Sequence, residues 1–295
     1  MKIAGHTMGT PEYSLSQAIK LFSKMGLDGI EIVVQDGYNC GFPTDIDDNT
    51  VLAVWDEIKE SNLEVSCLTP YFSEYNNPDE KLRERDNNGL KRVIRMASLL
   101  QCKFIRIYGG KFEDDEVDVN KIKEKVLIDS MRMLGDLAGQ YGITLILENH
   151  YHTMTTTAVK TAAIVRAIGH PNVGILYDQA NLAYLHAEGY TEAISVLQNY
   201  IRYVHAKDFV YRPGNKVFKS VEVSHTNEED RTYSPRVIGQ GIVPWPDIIA
   251  RLKEFYDGWI SMEYTRRWAP KELPDASIGM LEGAKLLRRL IDDVK

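Results

Sequence analysis

Cysteine is scarce in this chain. Its 295 residues contain three, Cys40, Cys67 and Cys102, an odd number at wide spacing with no CxxC. That pattern argues against a disulfide framework and points to a reducing, cytoplasmic setting. No run of ~18 or more apolar residues occurs, so no transmembrane helix is expected. The opening stretch MKIAGHTMGTPEYS has no long apolar segment, so a signal peptide is not expected either. Positive charge is in deficit: 35 Lys and Arg stand against 42 Asp and Glu, a formal net charge of −7. Neither nucleic acid nor an anionic membrane is recruited by such a balance. No GxGxxG follows the first apolar run, which weakens a dinucleotide-binding reading. No repeat, linker or low-complexity segment divides the chain, so one domain over residues 1–295 is expected.

What the chain does have is alternation. Short apolar runs predict strands at Ile3–His6, Gly29–Val34, Glu64–Leu68, Phe104–Tyr108, Thr144–Leu147, Val173–Tyr177, Tyr203–Ala206 and Trp259–Met262. Between them lie amphipathic stretches. They predict helices from Ser14 to about Met25, over Val51–Ser61, from Pro78 to about Leu100, over Asp118–Tyr141, Thr157–Ile168, Tyr190–Tyr200, Pro244–Tyr256 and Ala276–Asp293. Ser14 reads as a helix cap and Gly26 as a helix stop. Strict β/α alternation implies a parallel sheet covered by helices. Eight such units in this length favour a closed (β/α)8 TIM barrel, an α/β fold. One connection is long, polar and broken by Pro213, Gly214 and Pro235. It runs from about 208 to 238 and is expected as a loop on the active-site side of the barrel.

The ends of the last four strands share a property. Glu148 ends LILEN, Asp178 ends ILYD, His205 lies in YVHAKD and Glu263 ends ISME. Taken singly, each has a plain alternative: Asp178 as a helix cap, His205 as a hydrogen-bonded core histidine, either glutamate as a solvated loop residue. Together, on successive strands of one barrel rim, they form a mixed oxygen and nitrogen set. That set suits one divalent ion, Mn2+ first, with Mg2+, Co2+ or Zn2+ as alternatives.

These motifs carry a resemblance that covers essentially the whole chain. LILEN, ILYDQAN, VHAKD, ISMEY and the turn GQGIVPW (Gly239–Trp245) resemble the xylose-isomerase-like sugar isomerase/epimerase superfamily. That superfamily includes ketose 3-epimerases, inosose isomerases and dehydratases, and endonuclease IV. The resemblance implies that Glu148, Asp178, His205 and Glu263 bind the metal and that Glu148 and Glu263 serve as acid and base. It implies isomerisation or epimerisation of a keto sugar, keto-inositol or sugar phosphate through a metal-stabilised enediolate. The alternative on the same site is a lyase or dehydratase that expels a β-substituent, an aglycone included.

The resemblance also implies a pocket lined by His6, Tyr108, His150, His152, Asn181, Lys207 and Arg212. Tyr108 would pack on a sugar ring, with Gly109 and Gly110 letting backbone approach it. Glu31 would support the barrel floor or touch substrate, and Trp245 would pack under the last strand. Two departures stand out. Asn181 replaces a histidine common three residues after the Asp ligand, and Gln240 replaces the glutamate of the family's GEG, removing a charge. Endonuclease-like DNA repair needs a histidine-rich trinuclear site. This chain has seven histidines in all, and SCLTPYF and IYGGK supply none. A non-catalytic sugar-binding protein would leave the four ligands idle. A homo-oligomer is open, with Tyr211 and Phe218 as exposed aromatics for a subunit contact.

Overall fold

Local chemistry sets the first β/α unit. The Ser14 hydroxyl accepts from the Gln17 backbone N–H, and the Gln17 side-chain oxygen Oε1 accepts from the Ser14 N–H, a complete capping box. The helix α1 (Leu15–Lys24) follows, with Leu15, Ala18, Ile19 and Phe22 buried on one face. Gly26 stops it at φ +71°, a conformation glycine adopts without a side-chain clash.

The computed structural model describes residues 1–112, 116–212 and 232–293. Eight parallel strands close into a barrel: β1 (Lys2–His6), β2 (Gly29–Val34), β3 (Glu64–Pro70), β4 (Phe104–Tyr108), β5 (Thr144–Glu148), β6 (Val173–Asp178), β7 (Ile201–Ala206) and β10 (Trp259–Met262). Each pairs with its sequence neighbour in the barrel, and β10 closes the ring between β7 and β1. The helices α2 (Asp48–Glu60), α3 (Glu80–Leu99), α4 (Val117–Gln140), α5 (Ala158–Ile168), α7 (Tyr190–Leu197) and α8 (Trp245–Leu252) lie between the strands in chain order, and α9 (Ala276–Asp293) follows the last strand. The expected (β/α)8 architecture is the observed one. None of the described helices is long and apolar enough to cross a membrane.

Three departures from expectation have identifiable physical reasons. The second helix begins at Asp48 rather than Val51, because Asp47 caps it by accepting from the Asn49 and Thr50 N–H groups at 3.0 Å each. A short helix, α6 (Gln179–Tyr184), follows Asp178 directly. The segment read as a loop from 208 carries strands at both ends. β8 (Asp208–Tyr211) and β9 (Tyr233–Arg236) form an antiparallel ribbon in which Pro235 faces Phe209. Proline is tolerated in such a ribbon because neither strand has a second neighbour to serve. Pro213, Gly214 and Phe218 lie outside the described residues.

The barrel interior is layered. Cys67, Ile146, Leu176 and Tyr203 form a small apolar cluster separate from the main core. Strand side chains alternate in direction. Ile146 and Leu176 each precede by two residues the polar side chain that ends their strand, and Tyr203 precedes His205 by two on β7. The apolar plug therefore supports the polar layer above it.

Candidate active site

Glu148, Asp178, His205 and Glu263 are brought together. One ligand atom from each lies within 4.8 Å of the others, and all four residues are buried. His205 Nδ1 stands 3.4 Å from Glu148 Oε1, 3.5 Å from Glu263 Oε2 and 4.0 Å from Asp178 Oδ2. No aligned hydrogen bond reaches that nitrogen among the described residues. The other ring nitrogen is committed: His205 Nε2 lies 3.0 and 3.2 Å from the two oxygens of Glu31.

Glu31 is fully buried on β2, across the barrel from β7. Burial alone would raise its carboxyl. The His205 and His6 rings outweigh burial and bring its pKa down to about 2. A carboxylate holding the far nitrogen of a histidine fixes the ring's orientation and leaves the near nitrogen to a ligand. The donor set and the orphaned Nδ1 therefore fit a divalent cation. Without one, burial would lower the His205 ring, but Glu31, Glu263 and Glu148 overcome it and hold His205 well above the usual histidine range.

Asp178 caps a helix and also faces the cluster. Its Oδ1 caps α6 by accepting from the Asn181 N–H at 3.0 Å, while Oδ2 faces the cluster. Asn149 fixes the local backbone: its amide donates to the Asp178 carbonyl and accepts from the Asp178 N–H. Burial raises the Asp178 carboxyl to about 7, although the Lys207 ammonium opposes this. Lys207 Nζ sits 2.9 Å from Asp178 Oδ2 and 2.5 Å from Glu263 Oε2. Burial would depress the ammonium, but Asp178 and Glu263 hold its pKa well above the ordinary lysine value.

Asn181 enters the site through Nδ2, which donates to Glu148 Oε1 at 3.1 Å. In this chain, then, the residue replacing a histidine orients a cluster carboxylate. His150 is buried beside Tyr108, with ring centroids 5.0 Å apart, and burial pushes its pKa down to about 4. Its Nδ1 lies 2.6 Å from the Tyr151 carbonyl. His152 is buried rather than solvated and adopts φ +60°, an unusual backbone for a histidine and one often held at functional loops.

Other expected pocket residues have partners of their own, His6 with its ring centroid 5.9 Å from that of His205. His6 accepts from the Met8 N–H at Nδ1 and contacts Thr69 Oγ1 through Nε2 at 3.1 Å, so both nitrogens serve the fold. Arg212 is paired with Glu272 at 2.5 Å. Tyr211 donates to the Ala183 carbonyl and stacks on His186, fastening the ribbon to α6. The room beside Gly109 and Gly110 belongs to the protein: a Cβ there would meet Thr155 at 2.7 Å and Asn76 at 2.3 Å. Gln240 reaches out to Glu282, so its exchange for glutamate does not touch the cluster. The GQG turn instead wraps Asp208, whose carboxylate accepts from the Gly239, Gly241 and Val243 N–H groups. Trp245 is buried and donates to the Lys207 carbonyl.

Arg106 was not singled out from the sequence. It lies inside FIRIY, is 2% exposed, and reaches up so that Nε is 3.6 Å from Glu148 Oε2. Its guanidinium carbon lies 3.8 Å from the Tyr108 ring centroid and 4.9 Å from that of Tyr71. The available signal was an arginine two residues before Tyr108, on the same strand face, in an otherwise apolar run. Buried charge in such a place needs a partner or a task.

With this geometry in view, similarity to known proteins can be weighed. A 3-dehydroshikimate dehydratase of Bacillus anthracis is 22% identical over 219 residues, 70% of this chain and 71% of that protein. An inosose isomerase of Bacillus velezensis is 24% identical over 274 residues, 90% of this chain and 89% of that one. The crystal structure of the IOLI protein with a bound zinc atom superposes with a TM-score of 0.76. It has 20% identity and covers 100% of this chain and 98% of that one. At that identity the superposition speaks for the fold. The family model described as xylose isomerase-like TIM barrel matches residues 19–289, and the chain belongs to that family.

Proposed function

We propose that the protein is a divalent-metal-dependent enzyme that moves a proton beside the carbonyl of a small sugar or polyol, giving isomerisation or epimerisation. The observation that carries this reading is the buried set of Glu148, Asp178, His205 and Glu263, with a histidine nitrogen left unsatisfied at its centre. The relatives' names support a reaction of this kind: an inosose isomerase, inosose dehydratases and a 3-dehydroshikimate dehydratase.

Mn2+ is the proposed ion, with Mg2+, Co2+ and Zn2+ as alternatives. When bound, such an ion polarises a substrate carbonyl as a Lewis acid. The chain's own residues do the rest. Glu148 presents Oε1 to the cluster and leaves Oε2 free of it, so one oxygen serves the site and the other takes the proton from carbon. Glu263 returns a proton, either to the opposite face or to the neighbouring carbon. Lys207 holds Asp178 and Glu263 in place. Asn181 orients Glu148, and His150 and Tyr108 wall the pocket.

Elimination of water or an aglycone is the second reading, favoured by the dehydratase names among the relatives. Incubation of the Mn2+-loaded protein with keto-sugar and inosose panels in D2O separates the two. Deuterium in an isomeric product supports proton transfer alone; release of water or an aglycone supports elimination. Neither outcome with any substrate in the panel sinks both.

The Glu31–His205 pair gives a further expectation. Glu31→Gln should weaken Mn2+ binding about 10- to 100-fold, the usual cost of losing a carboxylate behind a histidine ligand. Competition against a chelating dye measures it. Unchanged affinity would remove Glu31 from the metal's support.

A further inference from the structure

The turn GQGIVPW has no part in the proton transfer proposed above, yet it is built around a buried anion. Asp208 is 2% exposed. Its Oδ2 accepts from the Gly239 and Gly241 N–H groups at 2.9 and 3.0 Å. Its Oδ1 accepts from those of Val243 and Phe209 at 3.0 and 2.9 Å. Backbone N–H groups converging in this way make a site for negative charge. The turn is shaped to that charge. A Cβ at Gly241 would collide with Asp208 Oδ1 and the Phe209 carbonyl oxygen, and Gly239 holds φ +91°.

The same segment holds the backbone on both sides of Lys207. The Ile242 N–H donates to the Phe209 carbonyl at 2.9 Å, and Trp245 Nε1 to the Lys207 carbonyl itself at 3.3 Å. One residue earlier, the Glu263 N–H donates to the Ala206 carbonyl at 3.0 Å. Lys207 carries its ammonium on a four-carbon stem, which wanders unless its root is fixed. Here Nζ meets Asp178 at 2.9 Å and Glu263 at 2.5 Å.

We propose that Asp208 is a positioning residue. By gathering the turn 239–243 onto the end of β7 it fixes the root of Lys207, and so the reach of the ammonium between Asp178 and Glu263. Asp208 acts at one remove, through the backbone. An uncharged isostere does not replace it. An amide offers one acceptor oxygen to four N–H donors, and its own NH2 would face some of them.

This assignment rests on the proton-returning role proposed for Glu263, so one arm of its test needs no substrate. Urea unfolding in EDTA of wild type, Asp208→Asn, Lys207→Met and the double variant closes a thermodynamic cycle. If Asp208 acts through Lys207, Asp208→Asn should cost the folding constant at least about tenfold less once residue 207 carries no ammonium. Trp245→Phe takes the indole N–H from the Lys207 carbonyl and alters no charge. It should couple to Lys207→Met in the same direction, and it carries the test if Asp208→Asn does not fold. The second arm uses D-fructose, D-tagatose and an inosose in D2O. Asp208→Asn should exchange substrate C–H for deuterium while forming product slowly, raising the ratio of exchange to product at least about tenfold. A turn that served the fold alone would lower both rates together, because fewer molecules are folded, and leave the ratio unchanged. Asp208→Glu, which keeps the charge, should fall between. Additive losses in the cycle overturn the assignment, as does an unchanged ratio for any sugar the wild type converts. A wild type inert toward all three sugars counts against the proton-transfer reading alone, and the cycle then decides the role of Asp208.

Discussion

Glu148→Gln and Glu263→Gln are each expected to lower kcat/KM by about a thousandfold, the scale of a lost general base or acid. Both side chains are buried, and glutamine preserves their volume. Asn181 Nδ2 can still donate to an amide oxygen at 148, so the fold is expected to survive both changes. The two variants should then differ in a second measurement. Glu263 Oε2 is bound by Lys207 and faces His205, whereas Glu148 Oε2 has no hydrogen-bond partner closer than the Arg106 edge. In the proposed mechanism that asymmetry favours Glu148 for the first deprotonation. In D2O, Glu263→Gln should still exchange the substrate's C–H for deuterium without forming product, and Glu148→Gln should not exchange. Wild-type turnover in both variants would sink the mechanism; exchange in the opposite pattern would reverse the roles.

The barrel was legible because its strands are short apolar runs bounded by Gly, Asp or Pro, a signal that survives without tertiary information. The cluster was legible because four consecutive strands each end in one ligand-type side chain. What remained hidden depended on closure of the ring. Glu31 and His205 are 174 residues apart and meet only across the barrel interior, so no local pattern announces their bond. Arg106 was masked by its neighbours. Within FIRIY it reads as part of a core strand, and only the reach of its side chain carries its charge up beside Glu148. The ribbon was missed because Pro235 reads as a loop breaker, although an edge position neutralises that objection. His6 and Arg212 looked like pocket residues by position. Each has a hydrogen-bond or ion-pair partner, Thr69 and Glu272, that sequence alone did not connect to it, although the His6 ring still lies 5.9 Å from that of His205.

Lys207→Met is expected to cost the metal-free protein about 3–5 kcal/mol at pH 8, the range for breaking a buried ion pair from one side. Methionine keeps most of the stem, so packing changes little, and the loss is one of charge. Among the described residues, Asp178 and Glu263 would face each other and Glu148 with His205, and Arg106 on the far side of Glu148, as the remaining cations. The size of the effect should depend on pH in a defined direction. Burial already lifts Asp178 to about 7 against the pull of Lys207. Removing Lys207 lifts it further. A carboxyl whose folded pKa lies above its unfolded one binds more protons when folded, so its destabilising contribution grows as pH rises from the unfolded value toward the folded one. The variant's deficit should therefore be smaller at pH 5.5, where Asp178 is neutral, than at pH 8, where it is being forced to ionise. Mn2+ should shrink the deficit as well. A divalent cation among the same carboxylates replaces the missing charge, and a ligand at 100 times its Kd adds about 2.7 kcal/mol to the folded state. Urea unfolding of wild type and variant, at both pH values, in EDTA and in Mn2+, measures all of this. A deficit indifferent to pH and to metal would mean that Lys207 supports the fold by packing and not by charge.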